Sequence, residues 1–211
     1  MRVDASFWDK IAPKYLKSPI RDVEAYEYTL GRTRSYLKSE DSVLELGCGT
    51  GSTALLLAPS VAQYTASDYS DAMLAFGREK AGAEGVDNLD FANIDVADPK
   101  LDQSYDVIMG FNLFHLVKDM EASFAAIHAR LKPGGLFISK TPCLSEPGLG
   151  MKFGLMKLAI PVMQLFGKAP FVRMLSVREL EAAMIGAGFK IIESGNFPAS
   201  PPSRYLVARR M

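Results

Sequence analysis

The stretch VLELGCGTGSTALLLA, from Val43 to Ala58, decides the fold. An apolar run typical of a buried strand ends at a turn with glycines at Gly47, Gly49 and Gly51, and a helix-like run follows at once. Glycine permits a positive φ and lets a ligand approach the backbone closely. The helix that begins there presents unpaired N–H groups and the positive end of its dipole. The stretch therefore predicts a strand–turn–helix unit that either binds an anionic group or is purely structural.

The rest of the chain alternates between the same two patterns. Strands are predicted at 42–46, 63–68, 88–94, 105–111, 136–140, 189–194 and 204–210. Helices are predicted at 52–58, 70–82 (with Gly82 as the stop), 119–131 and 176–188, and two more within residues 1–40, where Pro13 and Pro19 punctuate the first segment. Strands that alternate with helices of this length indicate an α/β fold with a parallel sheet covered on both faces.

Residues 143–176 interrupt the alternation. They include MKFGLMKLAIPVMQLFGKAPFVRML, which is apolar nearly all round, is broken by Pro161, and carries several lysines. We interpret 143–176 as an insertion on one domain that spans 1–211, with 1–40 as an N-terminal helical cap.

The composition limits the classes of partner and cofactor that the chain is expected to have. The 211 residues are 48% hydrophobic, and 24 basic residues balance 24 acidic ones, so no nucleic-acid partner is predicted. Two cysteines are too few for a disulfide framework or a structural zinc site, and no metal is predicted. The polar N-terminus and the absence of an apolar run of about 20 residues favour a cytoplasmic location.

Three details of the sequence indicate which kind of ligand the glycine turn binds. The spacing is G-x-G-x-G, whereas a dinucleotide fingerprint has its third glycine one place later, where this chain has Ser52. Glu45 comes just before the turn. Asp68 ends the second predicted strand, where an acid accepts hydrogen bonds from a ribose diol.

With these details, the chain resembles the class I S-adenosylmethionine-dependent methyltransferases, in particular a branch that includes small-molecule and quinone methyltransferases. ELGCGTG (45–51) is similar to the signature loop of that family. ASDYSDAML (66–74), FANIDVADPKLDQSYDVIMGFNLFHLVKD (91–119), ARLKPGGLFI (129–138) and LEAAMIGAGFKII (180–192) resemble its later motifs in order and spacing. The resemblance implies a Rossmann-like, doubly wound, seven-stranded, mostly parallel sheet with the last strand antiparallel, N-terminal helices and a helical insertion after the fifth strand.

The resemblance also implies roles for individual residues. The cofactor would be S-adenosylmethionine, and the product S-adenosylhomocysteine. The glycine loop, with Cys48 inside it, would pass close to the methionine part, and Glu45 would help to hold the ammonium group. Asp68 would bind the ribose. The remaining cofactor contacts would be Tyr69 and Val96 beside the adenine, Asp95 at its amino group, and Phe111 and Asn112 facing the methyl group.

The sequence names no clear catalytic base. His115 is the best candidate, although a lone histidine between apolar neighbours is more often a packed residue. Tyr15 is the second catalytic candidate, and it is similar to a tyrosine that closes over the cofactor in relatives. Tyr15 and Trp8 would contact the acceptor or anchor the first helix on the sheet. Cys48 and Cys143 are not predicted to be nucleophiles.

The insertion suggests the acceptor. In the family this segment usually caps the acceptor site, and its methionines adapt to irregular apolar partners. We expect a small, apolar acceptor contacted by Phe153 and Met156 in an in-line displacement. Two alternatives stay open for the insertion: a homodimer contact, and a peripheral membrane contact through 151–166 that collects a lipid or quinone. A non-catalytic cofactor-binding regulatory or scaffolding subunit is the alternative function, and an NAD-linked dehydrogenase is a distant third.

Overall fold

A computed structural model describes residues 5–96, 104–147, 149 and 151–211, with the backbone only for 151, 152 and 156–158. The helices are α1 (Ser6–Leu16), α2 (Val23–Arg34), α3 (Ser52–Leu57), α4 (Asp71–Glu84), α5 (Met120–Arg130), α6 (Met151–Leu165) and α7 (Val177–Gly186). The strands are β1 (Ser42–Leu46), β2 (Gln63–Asp68), β3 (Leu89–Asn93), β4 (Tyr105–Phe111), β5 (Leu131–Pro142), β6 (Phe189–Asn196) and β7 (Ser203–Arg210).

The strands form one sheet in the order β3-β2-β1-β4-β5-β7-β6. The first five strands in the chain pair in parallel, and β7 runs antiparallel between β5 and β6. The predicted fold class is therefore confirmed, including the antiparallel last strand and the helix after the fifth strand.

The two faces of the sheet bury different residues. Leu44 and Leu46 point into the apolar cluster on one face, together with Phe114. Val43 and Tyr64 lie in the cluster on the opposite face, which also contains residues of α3. Because side chains alternate along a strand, Glu45 and Asp68 fall on the face of Val43 and Tyr64. Both acids thus lie on the side from which α3 and α4 cover the sheet.

The structure corrects four boundaries. Gly82 does not stop α4, which continues to Glu84 and ends where Gly85 takes a left-handed φ of 66°. Pro13 lies inside α1, and Pro161 lies inside α6 without breaking it. β5 begins at Leu131, before KPGG, because Leu131 already pairs with Tyr105 across an irregularity in the ladder.

No helix within the described ranges has the length and apolar character required to cross a membrane. The division of the chain into a cap, a domain body and an insertion stays a prediction.

Candidate functional site

The glycine loop joins β1 to α3 at the carboxyl edge of the parallel strands. Gly47, Gly49 and Gly51 have φ values of 66°, 55° and 72°, which only glycine adopts readily. A Cβ at Gly47 would lie 2.8 Å from Leu113 Cδ1, and one at Gly51 would lie 2.7 Å from Phe91 Cε1. Backbone conformation and close packing therefore both require glycine in this loop.

Asp68 ties this loop to the start of α4. Its Oδ2 accepts the Gly49 N–H at 2.9 Å, and its Oδ1 accepts the Ser70 N–H, also at 2.9 Å. Burial raises the pKa of Asp68, while the backbone N–H groups lower it. Each oxygen keeps acceptor capacity beyond its backbone donor, so the carboxylate can also accept ligand hydroxyl groups.

Glu45 is 2% exposed beneath the same loop, and its Oε2 accepts the Tyr64 hydroxyl at 2.8 Å. Burial raises the pKa of Glu45 to about 7, the Tyr64 hydrogen bond opposes this shift, and the charge of Asp68 adds to it. None of the salt bridges found among the described side chains includes Glu45 or Asp68. The site therefore holds two buried acids for which this part of the chain provides no cationic partner.

The N-terminal helix α1 covers the loop from outside. A Cβ at Gly49 would lie 3.5 Å from Tyr15 Cε1, which is an ordinary contact distance. Asp9 on the same helix accepts the Ser70 hydroxyl at 2.6 Å and the Ala72 N–H at 3.3 Å. These bonds hold α1 on the N-terminus of α4 and so hold the Tyr15 ring over the loop.

Tyr15 is 46% exposed, and burial of the rest of the side chain, together with the charges of Asp68 and Glu45, raises its pKa. Its phenol is therefore protonated at pH 7 and can donate a hydrogen bond. Trp8 is half-buried near the N-terminal end of α1, with its ring 5.3 Å from that of Phe7 in an edge contact.

The predicted adenine contacts follow β2 and β3. Tyr69 comes directly after Asp68, and its carbonyl accepts the Asn93 side-chain amide at 3.4 Å. Asp95 and Val96 are half-buried just after β3. Val96 packs against the cluster of the sheet face opposite Glu45. The structure thus places Tyr69 directly after β2, and Asp95 and Val96 after the neighbouring strand β3.

The end of β4 brings two further predicted residues to this edge. Phe111 ends the strand and packs against the apolar cluster on the face of Glu45. Asn112 is exposed, takes a left-handed φ of 54°, and donates its N–H to the Lys140 carbonyl at 2.7 Å. A non-glycine residue in this conformation is uncommon and is found more often at functional sites.

His115 lies in a short helical turn after β4. Its carbonyl accepts the Arg173 N–H at 2.6 Å, so the returning end of the insertion is tied to this turn. No described residue forms a hydrogen bond with its buried Nδ1, and burial lowers the pKa of His115 to about 4. The imidazole is neutral at pH 7, where it is a weak base.

Neither cysteine is activated. Burial raises the pKa of Cys48 well above its ordinary value, and the charges of Glu45 and Asp68 raise it further. Burial raises the pKa of Cys143 to about 11. Both thiols are protonated at pH 7, which disfavours a nucleophilic role. Over the described ranges, no group of three His, Cys, Asp or Glu side chains is arranged to hold a metal ion.

Helix α6 is the exposed part of the insertion. Phe153 is half-buried on it, and the side chain of Met156 lies outside the described residues. Leu155, Leu165 and Phe166 are 63%, 82% and 69% exposed. This helix and the residue after it therefore present large apolar side chains to solvent.

Two residues that shape the site were missed from sequence. Tyr64 lies four residues before Asp68 on β2, so the two-residue period of the strand could have placed both side chains on one face. Asp9 gave no such signal, because its partners lie 61 and 63 residues further along the chain.

A seven-stranded sheet in this order, with a glycine loop after β1 and an acid at the end of β2, defines the class I methyltransferase fold. Residues 43–135 match a family model described as a methyltransferase domain. The resemblance to class I S-adenosylmethionine-dependent methyltransferases is thereby confirmed.

A curated relative that this chain resembles is a much longer protein. The chain is 26% identical to the iterative polyketide synthase afoE of Emericella nidulans over 193 residues, which cover 85% of this chain and 7% of the synthase. It thus spans a small part of the length of that relative.

Solved structures share the fold. Magnesium protoporphyrin IX methyltransferase (ChlM) from Synechocystis PCC 6803, with bound S-adenosylhomocysteine, superposes with a TM-score of 0.70 at 19% identity, covering 98% of this chain and 94% of that one. The [4+2]-cyclase SpnF superposes with a TM-score of 0.71 at 19% identity, covering 88% and 80%.

Proposed function

We propose that this chain binds S-adenosylmethionine and transfers its methyl group to a small, apolar acceptor by in-line displacement, releasing S-adenosylhomocysteine. One observation carries the proposal: Glu45 and Asp68 are both buried at the glycine loop, 2% and 8% exposed, and no salt bridge of the described residues reaches them. Burying a carboxylate without a counter-charge is costly. A ligand with ammonium and sulfonium groups supplies the missing positive charge.

Residues in and around the loop bind different parts of the cofactor. When bound, S-adenosylmethionine supplies a methyl group already activated on sulfur, so the protein needs mainly to position and desolvate the reactants. Gly49, where the nearest atom to a Cβ would be Tyr15 Cε1 at 3.5 Å, leaves the loop backbone open to close approach by the ligand. Asp68 accepts the ribose hydroxyls while it holds Gly49 and Ser70, and Glu45 receives the ammonium group. Tyr15, held over Gly49 by α1, excludes water from the same cleft.

The acceptor brings its own nucleophile. Tyr15 is protonated at pH 7, since burial and the nearby acids raise a pKa that is ordinarily about 10, and His115, with a pKa of about 4, accepts a proton weakly. A carbon or oxygen acidified by neighbouring carbonyl groups releases its proton to water and attacks the methyl group as an anion, without a strong base from the protein. The similarity to a polyketide synthase favours such an acceptor, because polyketide chains carry alternating carbonyl groups.

The exposed apolar face of α6 supports an apolar acceptor under a cap. Because the insertion returns to the domain body at His115 through Arg173, α6 is connected to the acceptor edge of the sheet. Deleting 151–166 should abolish turnover and leave cofactor binding unchanged. If turnover survives, the segment is not the cap. A concentration-dependent dimer in the wild type, or binding to lipid vesicles that the deletion removes, would favour the homodimer or the lipid-and-quinone alternative.

The cofactor part is tested with charge-removing variants of matched shape. Asp68→Asn should weaken S-adenosylhomocysteine binding at least tenfold in isothermal titration calorimetry. Asp106→Asn is the control, because Asp106 also accepts a backbone N–H, from Ser42, but is already paired with Lys132. Equal affinities of the two variants would contradict the proposal.

A second candidate is a protein that binds the cofactor without transferring its methyl group, as a regulatory or scaffolding subunit. The absence of a strong base among the candidate residues Tyr15 and His115 favours this candidate. The [4+2]-cyclase SpnF shares the fold but is named for a reaction other than methyl transfer. Incubation with methyl-labelled S-adenosylmethionine and candidate acceptors, including an acyl chain with alternating carbonyl groups, separates the two. Transfer of label excludes the second candidate. The cytoplasmic location stays a prediction.

A further inference from the structure

Tyr64 is a buried tyrosine whose hydroxyl faces the candidate site. Its side chain is 0% exposed, and the hydroxyl donates to Glu45 Oε2 at 2.8 Å. Pairing of β1 with β2 sets this contact, because Tyr64 lies opposite Val43 and Glu45 lies opposite Ala66 in the parallel register. The Ser67 hydroxyl donates to the Glu45 carbonyl oxygen at 2.9 Å, so the backbone of Glu45 is held as well.

The tyrosine ring packs in the apolar cluster under α3, a role that phenylalanine would also fulfil. The hydroxyl is therefore needed for a polar reason. A buried carboxylate that accepts a hydrogen bond is fixed in orientation and stabilised in its ionised form. Glu45 gains both from Tyr64.

We propose that Tyr64 is a positioning residue for the cofactor. The Tyr64 hydroxyl holds the Glu45 carboxylate ionised and oriented toward the ammonium group of S-adenosylmethionine. This inference rests on the proposed function. Tyr64 itself acts through Glu45, without contact with the ligand.

The charges around Glu45 make the idea testable by pH. The groups that bear on it are Tyr64 and Asp68 from β2, Cys48 from the loop and Tyr15 from α1, which are neutral or acidic. Burial already raises the pKa of Glu45 to about 7. A bound cation favours the ionised carboxylate, so affinity rises with pH as Glu45 ionises. Loss of the Tyr64 hydroxyl raises the pKa of Glu45 further and moves this rise to higher pH.

The experiment measures S-adenosylhomocysteine affinity by calorimetry between pH 5.5 and 8.5. Tyr64→Phe should bind about tenfold more weakly at pH 7, with the midpoint of the pH profile displaced upward and affinity partly regained at pH 8.5. Tyr205→Phe is the control, because Tyr205 is also 0% exposed but its hydroxyl bonds with Thr33. That control should keep the wild-type affinity and midpoint.

A double-mutant cycle with Glu45→Gln completes the test, since Tyr64→Phe should have little further effect on affinity once the carboxylate is gone. The positioning role is overturned if wild type binds and Tyr64→Phe matches it, or if Tyr64→Phe weakens binding equally at every pH. Failure of the wild type to bind overturns the proposed function itself, which keeps the two results distinct.

Discussion

Replacing Gly49 by alanine separates backbone strain from ligand accommodation. At its φ of 55°, an L-residue costs about 1–2 kcal/mol. No clash is added, because the nearest atom to the new Cβ is Tyr15 Cε1 at 3.5 Å. Gly134 provides a matched site: its φ is 78°, no atom lies within 4 Å of a Cβ, and it is exposed near the start of β5. Both variants should lose about 1–2 kcal/mol of unfolding free energy.

The two variants should differ in cofactor binding. The methyl group of Gly49→Ala lies in the loop that would pass close to the ligand, so we expect at least a tenfold loss of S-adenosylhomocysteine affinity, or about 1.4 kcal/mol. Gly134→Ala should bind as the wild type does. Urea unfolding and calorimetry on the same preparations give both numbers. Equal affinities would refute the assigned place of the loop, and a much larger stability loss at Gly49 than at Gly134 would refute the absence of a clash.

Three other perturbations have expected outcomes. Asp9→Ala should cost about 1 kcal/mol and raise hydrogen exchange in α1 and acrylamide quenching of Trp8, because α1 loses its bonds to α4; unchanged exchange would contradict the anchoring role. The pKa of His115 is lowered to about 4, so the unfolded chain binds more protons between pH 6.5 and 4. As the pH falls from 6.5 to 4, the free energy of unfolding measured by urea titration should therefore decrease more for the wild type than for His115→Asn. Equal decreases in the two proteins would contradict this. Gly51→Ala should destabilise by about 1–3 kcal/mol more than Gly49→Ala, because its Cβ meets Phe91 Cε1 at 2.7 Å, and adding Phe91→Leu should recover part of the loss.

Local patterns predicted most of the sheet. β1, β2 and β4 have the predicted boundaries because each is a short apolar or alternating run between polar turn residues. The glycine loop was predictable for the same reason: three glycines at alternate positions after a strand fit few structures other than a left-handed turn. The position of Asp68 beside the glycine loop was predictable, because Asp68 is the last residue of β2 and β2 pairs with β1.

The contacts that organise the site were less accessible to sequence reasoning. Asp9 bonds to the start of α4 through tertiary packing, which no local period encodes. Proline does not end either helix in which it occurs, because α1 and α6 continue through Pro13 and Pro161. The sequence pattern predicts the end of α4 at Gly82, but Gly85 ends the helix. A glycine two residues before the end of a helix is tolerated, and no neighbour crowds Gly82.

The proposed binding of S-adenosylmethionine depends on Glu45, which receives the ammonium group, and on Asp68, which accepts the ribose hydroxyls. Titration calorimetry of the wild-type protein with S-adenosylmethionine tests it most directly. One ligand should bind per chain, and binding should weaken as the pH falls from 8 to 6, because Glu45, whose pKa burial raises to about 7, becomes protonated over that range. No binding at millimolar ligand, or an affinity that rises as the pH falls, would contradict the account.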